Sequence, residues 1–161
     1  MVSNGANPAN SLQQELDIAR KLMQLLKQEQ QQLIDASIET LGEQIEQKSV
    51  LVSRMSELAS ARMKALAHAG FAAEESSMQK WLASQGTISS NKAAAKKTWG
   101  ELLTLIRSAK EMNRTNGLLI GTHMARNQTA LRVLQGSQDE QVYGSDGQTS
   151  VQASRRSLIV G

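Results

Sequence analysis

The chain has 161 residues, a single proline and 2% aromatic residues, a composition typical of one all-α domain rather than of an all-β fold. The sequence contains no cysteine, which excludes disulfides, thiolate metal sites and cysteine nucleophiles. Its 18 basic and 15 acidic residues are interspersed, so the net charge of +3 produces no extended field of one sign and does not predict nucleic-acid binding.

The first ten residues are polar and contain no apolar run that resembles a secretory signal. We therefore expect a disordered N-terminus over residues 1–10 and a cytoplasmic protein. Charged residues interrupt every leucine-rich segment, and no stretch reaches the roughly 20 consecutive apolar residues that span a bilayer. Direct insertion into a membrane is not expected.

Two long helices are predicted first, over residues 11–34 and 37–69. The first has apolar residues in alternating steps of four and three, with Gln30 as the polar exception: Leu12, Leu16, Ala19, Met23, Leu26 and Leu33. The second carries the strongest periodic pattern of the chain, through Ile38, Leu41, Ile45, Lys48, Val52, Met55, Ala59, Arg62, Leu66 and Ala69. Asp35 or Ser37 is a candidate N-cap for it, and Gly70 is the expected C-cap.

A short connector helix is predicted over residues 73–84, followed by a third long helix over residues 91–135. Phe71 and Trp81 are expected to close the end of the bundle, since aromatic side chains bury large apolar areas where helices splay. The third stripe has an unusually polar second half: Ala95, Trp99, Leu102, Ile106, Ala109, Asn113, Asn116, Ile120, His123, Asn127, Ala130 and Leu134. Gly136 is predicted to end this helix.

Three helices of these lengths, connected up-down-up, predict an elongated antiparallel three-helix coiled-coil bundle over residues 11–136, with the last helix projecting past the others. Residues 137–161 are predicted to form a flexible C-terminal tail, because they have too little apolar content to fold independently. The tail holds the only tyrosine, Tyr143, beside Gly144. Such a tyrosine is either part of a docking peptide or incidental, and the residues leave both interpretations open.

Catalysis and cofactor binding are not expected. His68 and His123 are the only histidines, and neither has a carboxylate placed to form an acid-base pair. Glu39, Glu43 and Glu46 resemble a solvated helix face rather than metal ligands, and no phosphate-binding lysine follows the glycines at 117 and 121.

Several motifs occur together in one order along the chain. Gln47-Lys48 precedes Leu51 in the second helix, the third helix contains the run from Asn113 to Leu119 and then Gln128 through Leu134, and Tyr143-Gly144 is followed by Gly147-Gln148-Thr149. In this order the chain resembles the FlgN-type export chaperones of the bacterial flagellar type III secretion system, over roughly Leu12 to Thr149.

The resemblance implies a cytoplasmic, non-enzymatic chaperone without a cofactor. Such a protein would bind hook-associated proteins, which form the hook-filament junction, and would deliver them to the export gate during flagellum assembly. Leu131, Val133 and Leu134 would then contact cargo, while Tyr143 and Gly144 would dock to the cytoplasmic domain of the export-gate membrane protein.

Other interpretations stay open beside this one. The stripes also fit a structural coiled-coil scaffold that forms homo-oligomers and has no client, and a homodimer of the chaperone is a further option. Asn113 and Asn116, with Gly117, are interpreted as setting helix register and packing rather than as contacting cargo. The basic terminus around Arg155 and Arg156 has no match in the family pattern.

Overall fold

The structure is a computed structural model that describes residues 7–84 and 90–144, with side chains for residues 7–84 and 91–136. The described residues form four helices and no strand: α1 (Leu12–Ile34), α2 (Leu41–His68), α3 (Ser76–Ser84) and α4 (Ser90–Gly144). The predicted all-α class is therefore confirmed. The predicted disorder over residues 1–10 is wrong for residues 7–10, because they form a turn in which the Asn10 N–H donates to the Asn7 carbonyl at 3.1 Å and Pro8 is buried. The rest of that prediction, residues 1–6, and residues 145–161 of the predicted flexible tail fall outside the described residues.

The turn between α1 and α2 is longer than the sequence predicted. Ala36 adopts a left-handed conformation, with φ of 55°, and the Ser37 N–H donates to the Gln32 carbonyl at 2.9 Å. This pattern ends a helix by satisfying its last carbonyls, so the chain cannot re-enter a helix at residue 37. The prediction of Asp35 or Ser37 as the N-cap is wrong, because Thr40 occupies that position.

The end of α2 follows the prediction. Gly70 has φ of 86°, a backbone conformation that residues with a Cβ rarely adopt. The Phe71 N–H then donates to the Leu66 carbonyl at 3.0 Å, closing the last turn. Glycine is required here because it adopts a positive φ without strain, and the chain then turns towards α3.

The last helix is longer than predicted. It runs without a break through Gly117, Gly121 and Gly136 and ends at Gly144. The predicted stop at Gly136 is wrong because a glycine inside a helix costs only about 1 kcal/mol relative to alanine, while good helix formers stand on both sides of it, Leu134 and Gln135 before and Gln138 and Glu140 after. The first part of the predicted tail, residues 137–144, is consequently helical in its backbone.

The core lies where α1, the second half of α2, α3 and the first half of α4 meet. Its members share nearly complete burial: Leu12, Leu16, Ala19, Leu66, Met78, Trp81, Ala95, Trp99 and Leu102. Each fully buried leucine contributes about 1.5–3 kcal/mol relative to an exposed one. Trp81 is buried and Phe71 packs against this cluster, so both take the core position that the sequence predicted.

The predicted stripe of α2 is confirmed in part. Arg62 and Leu66 are buried as predicted, but Ile45 and Val52, and Ile38 before the helix, are 50–57% exposed, and Leu58 and Ala65 are buried beside the stripe. Two apolar lines lie next to each other on this helix, one through Ile45 and Val52 and the other through Leu51 and Leu58. Both have a seven-residue repeat, so spacing could not distinguish them. The structure half-buries Leu51 and buries Leu58, whereas the line through Ile45 and Val52 becomes fully buried only at Leu66.

A charged pair is buried within this core. Glu15 on α1 is 0% exposed and Arg62 on α2 is 2% exposed. The Arg62 Nε donates to both carboxylate oxygens of Glu15, at 3.1 and 3.3 Å, while Ser11 Oγ donates to Glu15 Oε1 at 2.7 Å. The guanidinium also lies over the ring of Trp99 on α4, 4.6 Å from its centroid. One arginine thereby connects three helices.

Replacing Glu15 with glutamine should lower the free energy of unfolding by about 3–5 kcal/mol, because the buried Arg62 would keep only the exposed carboxylate of Glu75, 3.7 Å from its guanidinium, as a counter-charge. Urea denaturation followed by circular dichroism measures this change. The matched control is Glu101→Gln, which removes a carboxylate that accepts from exposed Arg20 at 3.1 Å and should change stability by less than about 1 kcal/mol. Equal losses in the two variants would contradict the importance of the buried pair.

Candidate functional site

A second buried carboxylate lies two heptads along α1 from Glu15. Glu29 is 2% exposed and accepts from the Lys48 Nζ on α2 at 2.9 Å and from the Asn116 Nδ2 on α4 at 2.8 Å. The Asn116 amide also donates to the Leu26 carbonyl at 2.9 Å. Glu29, Lys48 and Asn116 therefore form a polar layer that joins α1, α2 and α4.

Asn113 joins the same layer from its exposed edge. Its Oδ1 accepts from the Lys48 Nζ at 3.2 Å, and its side chain is exposed. Asn113 and Asn116 each bond to a residue of another helix. Asn116 is buried and is not accessible to a binding partner, whereas Asn113 is accessible.

Gly117 follows the polar layer, where a role in packing was predicted. A Cβ added to Gly117 would meet no described atom within 4 Å, and the same is true of Gly121. Close approach of a neighbouring helix therefore does not require glycine at either position. In the structure both glycines are ordinary residues of a continuous helix.

The chain divides into two compact units, and the boundary between them falls within α4, between Leu119 and Ile120. Within the second unit, the described side chains after His123 are all exposed, including four large apolar ones: Met124, Leu131, Val133 and Leu134, which are 58–64% exposed. A concentration of exposed apolar side chains on one helix is the usual mark of a protein-binding surface.

These apolar residues do not share one face. At 100° per residue, Ile120, Met124, Leu131 and Leu134 fall within about 80° of one another, whereas Val133 lies about 160° from Leu131. We call the first four residues the α4 stripe. The three predicted cargo residues are thus all exposed, but a single docked helix can cover only Leu131 and Leu134.

Tyr143 and Gly144, the predicted gate-docking residues, are the last two residues of α4. The Tyr143 side chain and the whole of the basic segment around Arg155 and Arg156 lie outside the described part of the chain. The docking role therefore stays a prediction.

The charges near the stripe include one ion pair. Arg114 donates to Glu111 at 2.7 Å on the exposed surface of α4. This hydrogen bond, with the attraction between the charges, lowers the pKa of the Glu111 carboxyl and raises the pKa of the Arg114 guanidinium. A pair this exposed is largely screened by solvent, so it occupies Arg114 without adding much to stability.

The described surface outside the α4 stripe was also compared with the needs of a ligand, metal or membrane site. An open groove of about 680 Å³ lies between α1 and α2, with Leu25, Val50 and Leu51 among its lining residues. Over residues 7–84 and 90–144, the structure contains no group of three or more histidines, aspartates and glutamates placed to hold a metal. None of the described helices has a segment apolar enough to cross a bilayer.

Comparison with known proteins decides the family. The model of the family described as FlgN protein matches residues 1–150. The chain belongs to the FlgN family. This confirms the family that the motifs predicted.

Curated relatives carry the name flagella synthesis protein FlgN. The Proteus mirabilis protein is 38% identical over 63 residues, which is 39% of this chain and 40% of that relative. The Salmonella typhimurium protein is 40% identical over 53 residues, 33% of this chain and 38% of that relative. The Yersinia enterocolitica serotype O:8 protein is 29% identical over 139 residues, 85% of each chain. No solved structure matches the chain.

The two buried carboxylates were not predicted from the sequence. Glu15 and Glu29 each lie one residue from the apolar line of α1, and Lys48 and Arg62 were placed on the α2 stripe without counter-charges. The spacing of the charges could have indicated these pairs, because Glu15 and Glu29 are two heptads apart and so are Lys48 and Arg62. Equal spacing of opposite charges on consecutive helices predicts buried pairs at matching levels of an antiparallel coiled coil.

Replacing Asn116 with alanine should destabilise the protein by about 1–3 kcal/mol, because the Leu26 carbonyl and Glu29 each lose a buried donor. Asn113→Ala is the matched control. It removes the same side chain from an exposed position and leaves the Lys48–Glu29 pair in place, so its effect should be within about 0.5 kcal/mol. Chemical denaturation of both variants measures the difference, and similar losses would argue against the register role of Asn116.

Proposed function

We propose that this protein is a cytoplasmic export chaperone that binds hook-associated proteins and delivers them to the flagellar type III export gate during flagellum assembly. The observation that carries the proposal is the exposed α4 stripe in a member of a family of flagella synthesis proteins. A non-enzymatic role agrees with a site whose contacts are apolar rather than acid-base.

Cargo capture would use the stripe as one half of a helix-helix interface. Met124, Leu131 and Leu134 are about 60% exposed, and an amphipathic cargo helix laid along them would remove their apolar area from water. Full burial of a leucine contributes about 1.5–3 kcal/mol, so two leucines and a methionine supply a substantial part of a micromolar affinity. The apolar face of the cargo helix would be removed from water in the same way until export.

Delivery would use the end of α4. Tyr143 and Gly144 are separated from Leu134 by at most ten residues, about 15 Å along the helix axis. Cargo contact and gate docking would therefore be made by successive stretches of one helix. Tyrosine suits the second contact because it buries a large area with few rotatable bonds.

The cargo surface is tested by a double substitution, Leu131→Gln with Leu134→Gln, in the full-length protein. Glutamine retains helix propensity, so helicity should be unchanged while affinity for a hook-associated protein falls at least about tenfold. Titration calorimetry measures the affinity, and Val133→Gln is the matched control on the opposite side of α4, with an expected change below about twofold. An equal loss of affinity in both variants would show that the α4 stripe is not the cargo-binding surface.

The same titration distinguishes the rival function. Should the unaltered protein bind none of the hook-associated proteins and form defined homo-oligomers in light scattering, the chaperone proposal is wrong and a structural scaffold is favoured.

The docking contact is tested by Tyr143→Ala, with Tyr143→Phe as the conservative partner. Alanine should weaken binding to the purified cytoplasmic domain of the export-gate protein by about 2 kcal/mol, as truncation of an aromatic anchor does, and should leave cargo affinity unchanged. Phenylalanine should retain most of the affinity. An alanine variant that binds the gate domain as tightly as the unaltered protein would remove Tyr143 from the mechanism.

A further inference from the structure

The basic residues in the first half of α4 lie along one side of the helix. Residues 90–119 contain six basic and two acidic residues. At 100° per residue, five of the six basic residues fall within about 60° of one another, and both acids fall outside this sector. The five are Lys92, Lys96, Arg107, Lys110 and Arg114. We call them the basic row, which extends about 33 Å along α4.

Most of the basic row has no counter-charge. Lys96, Arg107 and Lys110 are exposed, and none of the three forms an ion pair with a described residue. Arg114 is paired with Glu111, which lies about 40° outside the row. The acid of α4 that stands nearest to the row is therefore already paired with one of its members, and three exposed positive charges remain.

The basic row lies on the side of α4 that borders α2. Around the axis of α4, starting from buried Leu102, Trp99 and then the row are met in one direction, and Asn116 is met in the other. Trp99 lies against Arg62 of α2. The Asn116 amide donates to a carbonyl of α1. A surface that touches the row can therefore also touch α2, whereas α1 lies behind both helices.

The neighbouring side of α2 carries no charge. Over a sector of about 120° along this helix, every residue is apolar, a serine or a glycine. We call these residues the uncharged strip: Leu41, Gly42, Ile45, Ser49, Val52, Ser53, Ser56, Ala59, Ser60, Met63 and Ala67. Most of them are exposed, and Ile45 and Val52 are each 50% exposed. The groove between α1 and α2 opens on the other side of α2, where Glu43, Gln47 and Val50 line it, so the strip borders α4.

We propose that the basic row and the uncharged strip together bind the surface of an anionic lipid bilayer, without insertion of any helix. Two helices packed side by side can both touch a plane along their length. Each basic residue near an anionic bilayer strengthens binding about fivefold, and Ile45 and Val52 would reach the headgroup region beside the cations. The inference goes beyond the proposed function and does not depend on it, because none of these residues belongs to the α4 stripe.

The acids nearest to this face stand at its far edge. Glu46 and Glu57 lie about 20–40° beyond the uncharged strip, on the side of α2 away from α4. Glu57 is paired with Arg54 at 2.8 Å. Repulsion between these acids and an anionic bilayer is therefore confined to one edge, and the side with the basic row would lie closer to the lipid.

Nucleic acids and acidic proteins fit this face less well. Single-stranded nucleic acids are bound by stacking of their bases on aromatic side chains, and neither the row nor the strip contains an aromatic residue. Duplexes are bound through many phosphate contacts, and three uncompensated cations provide few of them. The centres of protein interfaces are rich in tryptophan and tyrosine, which the strip lacks.

The basic row is tested with Lys96→Gln and Lys110→Gln combined in the full-length protein. Flotation with vesicles of phosphatidylcholine and about 30% phosphatidylglycerol measures binding at low ionic strength, which should be about 25-fold weaker because two cations are lost. The matched control is Lys21→Gln with Lys27→Gln, which removes the same charge from exposed positions on α1. Its binding should change less than about threefold, since α1 cannot reach the same plane.

The uncharged strip is tested with Ser49→Glu and Ser56→Glu combined, a change that leaves every basic residue in place. Binding to the same vesicles should fall at least about tenfold, because both new carboxylates would face the anionic lipid. The matched control is Gln24→Glu with Gln28→Glu, which adds the same charge at exposed positions on α1 and should have a much smaller effect. Circular dichroism checks that helicity is equal in all four variants.

Vesicles of phosphatidylcholine alone and a single-stranded RNA of about 20 nucleotides form the remaining arms. The unaltered protein should bind both weakly, and salt at about 0.5 M should release it from the anionic vesicles. Equal binding to anionic and neutral vesicles, or equal losses in the face variants and their controls, would overturn the inference. Tight binding of RNA without a preference for anionic lipid would replace it with a nucleic-acid surface. Failure to bind any hook-associated protein would overturn the chaperone function and leave this inference standing.

Discussion

A carboxylate buried on α1 has to meet a cation on α2, and much of the structure depends on this constraint. Glu15 is paired with Arg62, and two heptads further along α1 Glu29 is paired with Lys48. The partners step in opposite directions along the two helices, as in an antiparallel pair. Two helices that pack only through leucines can shift along each other by one heptad, because one leucine then takes the place of another. The same shift here would leave Glu15 and Glu29 buried without counter-charges.

Contacts at the level of each of these two ion pairs also bind the first half of α4 to α1 and α2. Trp99 stacks on Arg62 at the first level, and Asn113 and Asn116 bond to Lys48 and Glu29 at the second. Trp99 and Asn113 are also two heptads apart, so all three long helices repeat with one period. Because of these contacts, the residues of α4 up to Leu119 belong to the packed unit. Further along the helix Met124, Leu131 and Leu134 are exposed, and this exposure supports the proposed chaperone function.

Much of the helical content was predictable because it is local. Heptad spacing located the long helices, and Gly70 after His68 located the end of α2, since a left-handed residue is needed there. Other features could not be predicted from local pattern. Ile45 and Val52 have the same period as Leu51 and Leu58, and Gly136 interrupts α4 no more than Gly117 does. Where two apolar lines on a helix have the same period, only the contact with a neighbouring helix decides which line is buried.

The sequence by itself determined the helical class, the order of the helices and, through its motifs, the family. Each of these follows from residues close together in the chain, whose propensity and spacing do not need a partner. The tertiary structure decided which face of α2 is buried, which charges are paired across helices, and that Asn116 is internal while Leu131 and Leu134 are exposed on one face. These depend on burial, which is a property of residues far apart in sequence that come together in space.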